Sequence, residues 1–203
     1  MPAVKPTARR LILVRHGEST WNADERLQGQ LDPPLSARGR EQSAALARTL
    51  ERLPDDRVVC SDLGRARETA ELLGLRPGRF DHRWREIDVG EWGGRPAAEI
   101  DGQGSELTNW RGGPRRAPDG EPWEVFSARV GGAVDELVGA GGSWLVVCHG
   151  GCIRVAVAHL TGADPLHLGS PPNASATVFE LASRPRLLVY GSLPDGGLPT
   201  GLY

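Results

Sequence analysis

The chain has 203 residues, 39% of them hydrophobic, with 24 Lys and Arg against 26 Asp and Glu and a formal net charge of -2. That length buries a full core without help from disulfides or metal, and the balanced charge lacks the electrostatic footprint of a nucleic-acid binder or a protein drawn to anionic membranes. Three cysteines, Cys60, Cys148 and Cys152, are an odd number and make no disulfide framework.

Met1 to Arg10 carries charge and prolines, and the apolar run behind it is too short for a signal peptide or a membrane span, so a cytoplasmic protein is expected. Arg10 to Val14 reads as a strand of the kind buried on both faces of a parallel sheet. A loop to Pro34 follows. Ser36 suits an N-cap, and Ala37 to Leu53 places Leu46, Leu50 and Leu53 on one helical face before Pro54. Val58 to Cys60 is a second strand, and Ser61-Asp62 can cap a helix that runs to Leu73, where Gly74 and Pro77 stop it.

A short strand is expected near Phe80. From Gly90 to Glu121 the composition turns to Gly, Pro, Arg and Trp, with helical patches near Ala97 to Ile100 and Glu106 to Trp110. Such an excursion over a sheet's carboxyl edge often carries specificity. Glu121 to Val138 is a helix with Pro122 in its first turn. Trp144 to Cys148 is a strand, Gly151 to Leu160 a helix, and Thr177 to Leu181 and Leu187 to Tyr190 form a final hairpin. Residues 191–203, rich in Gly and Pro, read as a mobile tail on one domain spanning 1–203.

Two of these strands end in a histidine. Arg15-His16-Gly17 follows Leu11-Ile12-Leu13-Val14, and His149-Gly150 follows Leu145-Val146-Val147-Cys148. Ligands of open α/β sheets sit outside the carboxyl ends of the strands, so both imidazoles are expected in one crevice. A phosphate monoester there is doubly negative, and a neutral nucleophile approaches it only when fixed cations offset that charge. The arginine fork binds two phosphate oxygens and keeps its charge, which suits Arg15 and Arg65, each just past a strand. Neighbouring arginines push a histidine's pKa down, as an imidazole nucleophile requires.

A lone Arg-His-Gly is weak, and its company decides. Glu18, Ser19, Thr20, Trp21 and Asn22 follow, then Gln28-Gly29, Asp32, Leu35-Ser36, Gly39 and Gln42. Ser61-Asp62-Leu63-Gly64-Arg65-Ala66-Arg67-Glu68-Thr69-Ala70 comes next, then Arg85-Glu86-Ile87-Asp88-Val89-Gly90-Glu91-Trp92-Gly93-Gly94, and last His149-Gly150-Gly151. The set, in this order, resembles the histidine phosphatase superfamily, the phosphoglycerate mutase-like phosphohydrolases, from about Arg10 to about Leu181.

The resemblance implies a three-layer α/β sandwich with a mostly parallel central sheet flanked by helices. It implies His16 as a phosphorylated nucleophile, with Arg15, Arg65 and His149 holding the phosphoryl group; His149, if protonated, binds the equatorial oxygens. Glu86 is the implied proton donor, and Asn22, Gln28, Gly29 and Gly150 are the implied substrate contacts. The implied activity is metal-independent hydrolysis of a small phosphorylated metabolite, a phosphosugar or a phosphoglycerate derivative such as glucosyl-phosphoglycerate, with no cofactor. Phosphoglycerate mutase-type transfer and a non-catalytic phospho-ligand module are the alternatives. Family members often carry Gly-Glu-Ser where this chain has Gly120-Glu121-Pro122, which leaves the role of that block open.

Weaker signals have bland readings beside sharp ones. Arg111, Arg115 and Arg116 suit a second anionic group of the substrate or plain solvation. Trp92, Trp110 and Trp123 suit stacking on a sugar or packing on the core. His82, His159 and His167 lack the mutual spacing of a metal site. Cys148 lies six residues before Arg154, the spacing of a cysteine-dependent phosphatase loop, but that reading idles Arg15, His16 and Glu86. No isolated amphipathic surface announces an oligomer interface, so the oligomeric state stays open.

Overall fold

Four consecutive residues of β1 (Arg10–Arg15), Leu11 to Val14, are at most 1% exposed, which fits only a strand covered on both faces. The computed structural model describes residues 9–50, 53–101 and 116–194. Its further elements are α1 (Thr20–Ala23), α2 (Ala37–Leu46), β2 (Val58–Cys60), α3 (Gly64–Leu72), β3 (Arg79–Phe80) and α4 (Ala97–Asp101). Then come α5 (Trp123–Ala140), β4 (Trp144–Cys148), α6 (Gly150–Thr161), β5 (Ala176–Glu180) and β6 (Arg186–Ser192).

The strands form one six-stranded sheet in the order β3-β2-β4-β1-β5-β6. Pairing is parallel from β3 through β2 and β4 to β1, and antiparallel for β1 with β5 and β5 with β6. The pleat sorts the core. Leu11, Leu13, Val59 and Val146 pack with α5 and α6 through Phe126, Val130, Ile153 and Val157, while Ile12, Val14, Val58 and Leu145 pack with α2 and α3 through Leu46, Ala66, Ala70 and Leu73. Each fully buried side chain of this size contributes roughly 1.5–3 kcal/mol of transfer free energy.

Register places the site. Arg15 of β1 lies opposite Cys148 of β4, so the next residues, His16 and His149, leave the sheet side by side at its carboxyl edge. The His16 amide donates to the Cys148 carbonyl at 3.0 Å, closing the ladder there.

Several boundaries differ from expectation. α2 ends at Leu46 rather than Leu53, because Arg48 and Thr49 donate back three residues and the Thr49 hydroxyl also takes the Leu46 carbonyl, tightening the chain into turns. α1 was missed because it is only four residues long, although Ser19 and Asn22 form a full capping box around it. Ser61 and Asp62 do not cap α3: Ser61 Oγ bonds His149 and Asp62 pairs with Arg85. Asp32, distant in sequence, takes the Gly64 amide and the Arg65 amide instead. The region expected to be a mobile tail begins inside β6, which runs through Gly191 and Ser192, and residues 195–203 lie outside the described residues.

Candidate active site

His16 is 3% exposed, and its ring is held at both nitrogens. Nδ1 lies 2.7 Å from the Gly17 carbonyl oxygen, and Arg65 Nε donates to Nε2 at 3.3 Å. An acceptor at Nε2 and a carbonyl at Nδ1 are compatible with one neutral tautomer, hydrogen on Nδ1 and lone pair on Nε2. Burial first, then the charges of Arg65 and Arg15, push the His16 pKa well below the ordinary histidine range.

A Cβ at Gly17 would meet the Gly39 carbonyl oxygen of α2 at 2.4 Å. Its role is to let the loop after β1 lie against that helix. The Gly17 amide donates to Thr69 Oγ1 of α3 at 3.0 Å, so the segment carrying the imidazole is packed against α2 and tied to α3.

Arg65 is 1% exposed, in the first turn of α3. Its Nη1 donates to the Leu31 carbonyl at 2.7 Å and to Asp32 Oδ1 at 3.3 Å, and Nη2 donates to the Gly29 carbonyl at 2.8 Å. Gly29 therefore serves the site through its backbone, and its φ of +54° with Val89 Cγ2 at 2.7 Å from a built Cβ leaves no room for a side chain. Arg15 Nη1 donates to Ser170 Oγ at 3.2 Å and to the Pro171 carbonyl.

His149 is fully buried as the N-cap of α6, its ring centroid 5.1 Å from that of His16 at 60°. Its Nε2 is 2.9 Å from Ser61 Oγ. Burial, then Arg65, His16 and Arg15, push its pKa well below the ordinary range, so without a ligand His149 is neutral rather than the cation on which its expected phosphate contact was conditioned. Two nitrogens of this cluster, His149 Nδ1 and Arg15 Nε, are buried with no hydrogen-bond partner, and a buried donor or acceptor left so is costly.

The Glu86 carboxylate sits at the N-terminus of α6. Its Oε2 accepts from the Gly151 amide at 2.9 Å and its Oε1 from the Ile87 amide at 3.0 Å. A Cβ at Gly151 would stand 2.1 Å from Oε1, so the carboxylate reaches the helix end only because residue 151 is glycine. Arg15, His16, Arg65, Glu86, Asn22, Gln28 and Gly29 all line one cavity of about 500 Å3, together with Trp123, Arg154, Leu166 and Leu168. That volume is in the range of small-molecule sites.

Asn22 Oδ1 is taken by Ser19 and by Asn173 Nδ2 at 3.1 Å, and Gln28 Oε1 by Ser19 Oγ at 2.8 Å, which leaves the amide NH2 groups of both as donors for a ligand. A family model described as histidine phosphatase superfamily (branch 1) matches residues 11–190. The chain belongs to that superfamily. A glucosyl-3-phosphoglycerate phosphatase of Mycolicibacterium vanbaalenii is 42% identical over 169 residues, 76% of this chain and 75% of the relative. An Escherichia coli relative named "Probable phosphoglycerate mutase GpmB" is 36% identical over 163 residues, 75% of this chain and 74% of its own. The solved structure of a mycobacterial glucosyl-3-phosphoglycerate phosphatase with VO3 superposes with a TM-score of 0.79 at 38% identity, covering 91% of this chain and all of that one.

Within that superfamily fold, two expected contacts do not line the cavity: His149 lies fully buried behind its wall, and Gly150 faces Ser170 Oγ and the Arg15 guanidinium, with Gly151 in the wall instead. The cysteine-loop alternative fails, because Cys148 is fully buried in the core and burial pushes its thiol well up. Trp92 packs into the core and Trp123 lines the cavity, while Trp110, Arg111 and Arg115 lie outside the described residues and Arg116 is exposed. Among the described residues no group of three or more His, Cys, Asp or Glu is placed to hold a metal ion, and no helix is long and apolar enough to cross a membrane. Sequence reasoning gave no role to Asn173, which donates to the His16 carbonyl at 3.2 Å, or to Arg129. It assigned Ser61 to a cap, although its position just past β2, like His149 past β4, was a usable signal.

Proposed function

We propose that this chain is a metal-independent phosphatase, one domain over 1–203, that removes phosphate from a small phosphorylated sugar metabolite in the cytoplasm. Support for the chemistry comes from His16, a neutral imidazole in the wall of a cavity that also holds the Arg15 and Arg65 guanidiniums; its Nε2 accepts from Arg65 Nε, a bond that gives way when the lone pair turns to phosphorus. In the first step that lone pair attacks phosphorus, the P–O ester bond breaks, and Glu86 delivers a proton to the leaving oxygen. Arg15, Arg65 and His149 Nδ1 hold the phosphoryl oxygens. In the second step Glu86 takes a proton from water as its oxygen attacks the phosphohistidine, which releases inorganic phosphate and restores the imidazole.

The arriving dianion meets the positive charge of Arg15 and Arg65, and that charge offsets its own where a neutral nucleophile must approach. The apolar walls at Leu27, Ile87, Val89, Trp123 and Leu168 suit the faces of a sugar ring, in keeping with a glycosylated phosphoglycerate of the kind named for the mycobacterial relatives. Three buried free thiols accord with a reducing compartment.

The test is phosphate release in the presence of chelator from glucosyl-3-phosphoglycerate, 3-phosphoglycerate, other phosphosugars, nucleoside monophosphates and an aryl phosphate, wild type against His16→Ala. Release that the variant loses, with the glycosylated glycerate turned over best, is the expected result. The E. coli relative's name favours a second reading, and interconversion of 3- and 2-phosphoglycerate without net phosphate release would establish mutase chemistry instead. Phosphate binding with neither reaction would make the chain a binding module.

A further inference from the structure

Gly120-Glu121-Pro122, the block left without a role, meets the acid-bearing segment through Arg129 of α5. A guanidinium has five N–H donors, and all five of Arg129 are used. Nε donates to Glu121 Oε1 at 2.7 Å and Nη2 to Glu121 Oε2 at 2.7 Å. Nη1 donates to the carbonyls of Arg83 at 2.9 Å and Arg85 at 2.7 Å, and Nη2 to the carbonyl of Glu86 at 2.9 Å. Glu121 closes the far side: its amide donates to the Asp88 carbonyl at 2.9 Å, and its Oε2 accepts from the Asp88 amide at 3.3 Å.

We propose that Arg129 and Glu121 form a clamp that holds the Glu86 carboxyl in register for proton transfer, so that both are positioning residues for the acid step. The proposal rests on the reading of Glu86 as proton donor. Residues 85–89 belong to no regular strand or α-helix, so the Arg85 and Glu86 carbonyls have no ladder to bond and take the guanidinium instead. The pair is largely buried, with side chains 17% and 12% exposed, and the Arg129 guanidinium lies 4.8 Å from the Phe126 ring centroid. Neither residue lines the cavity, so neither is placed to touch substrate.

From α6, the Cys152 thiol lies 3.3 Å from the Trp84 carbonyl oxygen and 3.2 Å from that of Arg85. The main chain beneath Glu86 is thus gripped by both helices of this face while its carboxylate meets the Gly151 amide. Proton transfer to a departing oxygen tolerates little misplacement, and an error of about 1 Å costs on the order of 100-fold. Proline at 122 is compatible with this role. The clamp uses the backbone and side chain of Glu121 and asks nothing of a hydroxyl at the next position.

The experiment is a leaving-group series, from nitrophenyl and phenyl phosphate to 3-phosphoglycerate, run on wild type, Glu86→Gln, Arg129→Gln, Glu121→Gln and the double variant Arg129→Gln/Glu86→Gln. Arg129→Gln is expected to lose about 10–100-fold in kcat on the alkyl phosphate and less than about 3-fold on nitrophenyl phosphate, with unchanged affinity for inorganic phosphate. In the Glu86→Gln background it should cost little more. Equal losses across the series, or additive losses in the double variant, overturn the clamp. Glu121→Gln keeps the guanidinium and its carbonyl bonds, so if Arg129→Gln does not fold by circular dichroism, a uniform loss across the series in Glu121→Gln overturns the proposal alone. If Glu86→Gln itself shows no leaving-group selectivity, the assignment of Glu86 falls and takes the clamp with it; selectivity in Glu86→Gln but in neither clamp variant removes only the clamp.

Discussion

Arg65 Nε and His16 Nε2 meet at 3.3 Å, so the guanidinium of α3 donates to the nitrogen proposed above to attack phosphorus. In the proposed first step that nitrogen, bonded to phosphorus, would no longer accept, and Arg65 Nε would be free for a phosphoryl oxygen while its Nη groups stay on the Leu31 and Gly29 carbonyls. The contact also selects the reactive tautomer in the resting protein.

Arg65→Lys is therefore not conservative. A single ammonium nitrogen cannot span the His16, Leu31 and Gly29 acceptors that three separate guanidinium nitrogens reach, and kcat/KM for the aryl phosphate should fall by about 100-fold or more while the protein stays folded. Steady-state kinetics beside a thermal melt check this; a drop of only a few fold would show that charge alone, not the fork, is what the site needs.

Stability should fall on mild acidification. His16 and His149 have folded-state pKa values pushed well below an unfolded value near 6.5, so both states are neutral above about pH 7 and neither group gives a slope there. Below about pH 6.5 the unfolded chain binds protons that the folded one refuses, and each imidazole removes stability at about 1.4 kcal/mol per pH unit. Urea unfolding between pH 7.5 and 5 should show this decline, with the slope reduced by one imidazole's share in His149→Gln. An identical slope in the variant would count against burial of a neutral His149.

Gly151→Ala should separate catalysis from folding. Its Cβ would need to occupy space 2.1 Å from Glu86 Oε1, so the carboxylate must leave the helix end. Turnover of alkyl phosphates is expected to fall about 10-fold or more, while alanine's better helix propensity, worth up to about 1 kcal/mol, offsets part of any loss in the melting temperature. Comparing kcat with the thermal midpoint decides it.

Asp32→Ala removes the carboxylate that caps α3 and touches Arg65, through the Gly64 and Arg65 amides and Arg65 Nη1. Chemical denaturation should show a loss of about 1 kcal/mol, the usual cost of a missing cap. Inorganic phosphate should bind more weakly as well. A stability loss with unaltered phosphate affinity would reduce Asp32 to a cap.

Much of the site is legible in the sequence. Unbroken apolar runs before His16 and His149 made them central strands, and the rule that ligands sit beyond the carboxyl ends of parallel strands put the two histidines together. Arg65 was readable for the same reason. What stayed hidden was set by contacts between segments remote in sequence. Asp32 capping a helix that begins at Gly64, Ser61 turned away from that helix toward His149, and Arg129 collecting the carbonyls of residues 83, 85 and 86 leave no local pattern, because their partners are chosen by packing and not by periodicity. The neutral state of His149 was likewise unreadable, since it depends on how far burial strips water from the ring.

The pairing of β1 with β4 has a kinetic corollary. The two histidines come from strands far apart in the chain, with α1 to α5, β2 and β3 between them, and contacts of that span are slow to form. Helical signal can return early from local segments while the two imidazoles are still apart. Regain of phosphatase turnover during refolding would then time the pairing of β1 with β4 at the centre of the sheet, and the enzyme would carry its own clock for that long-range step.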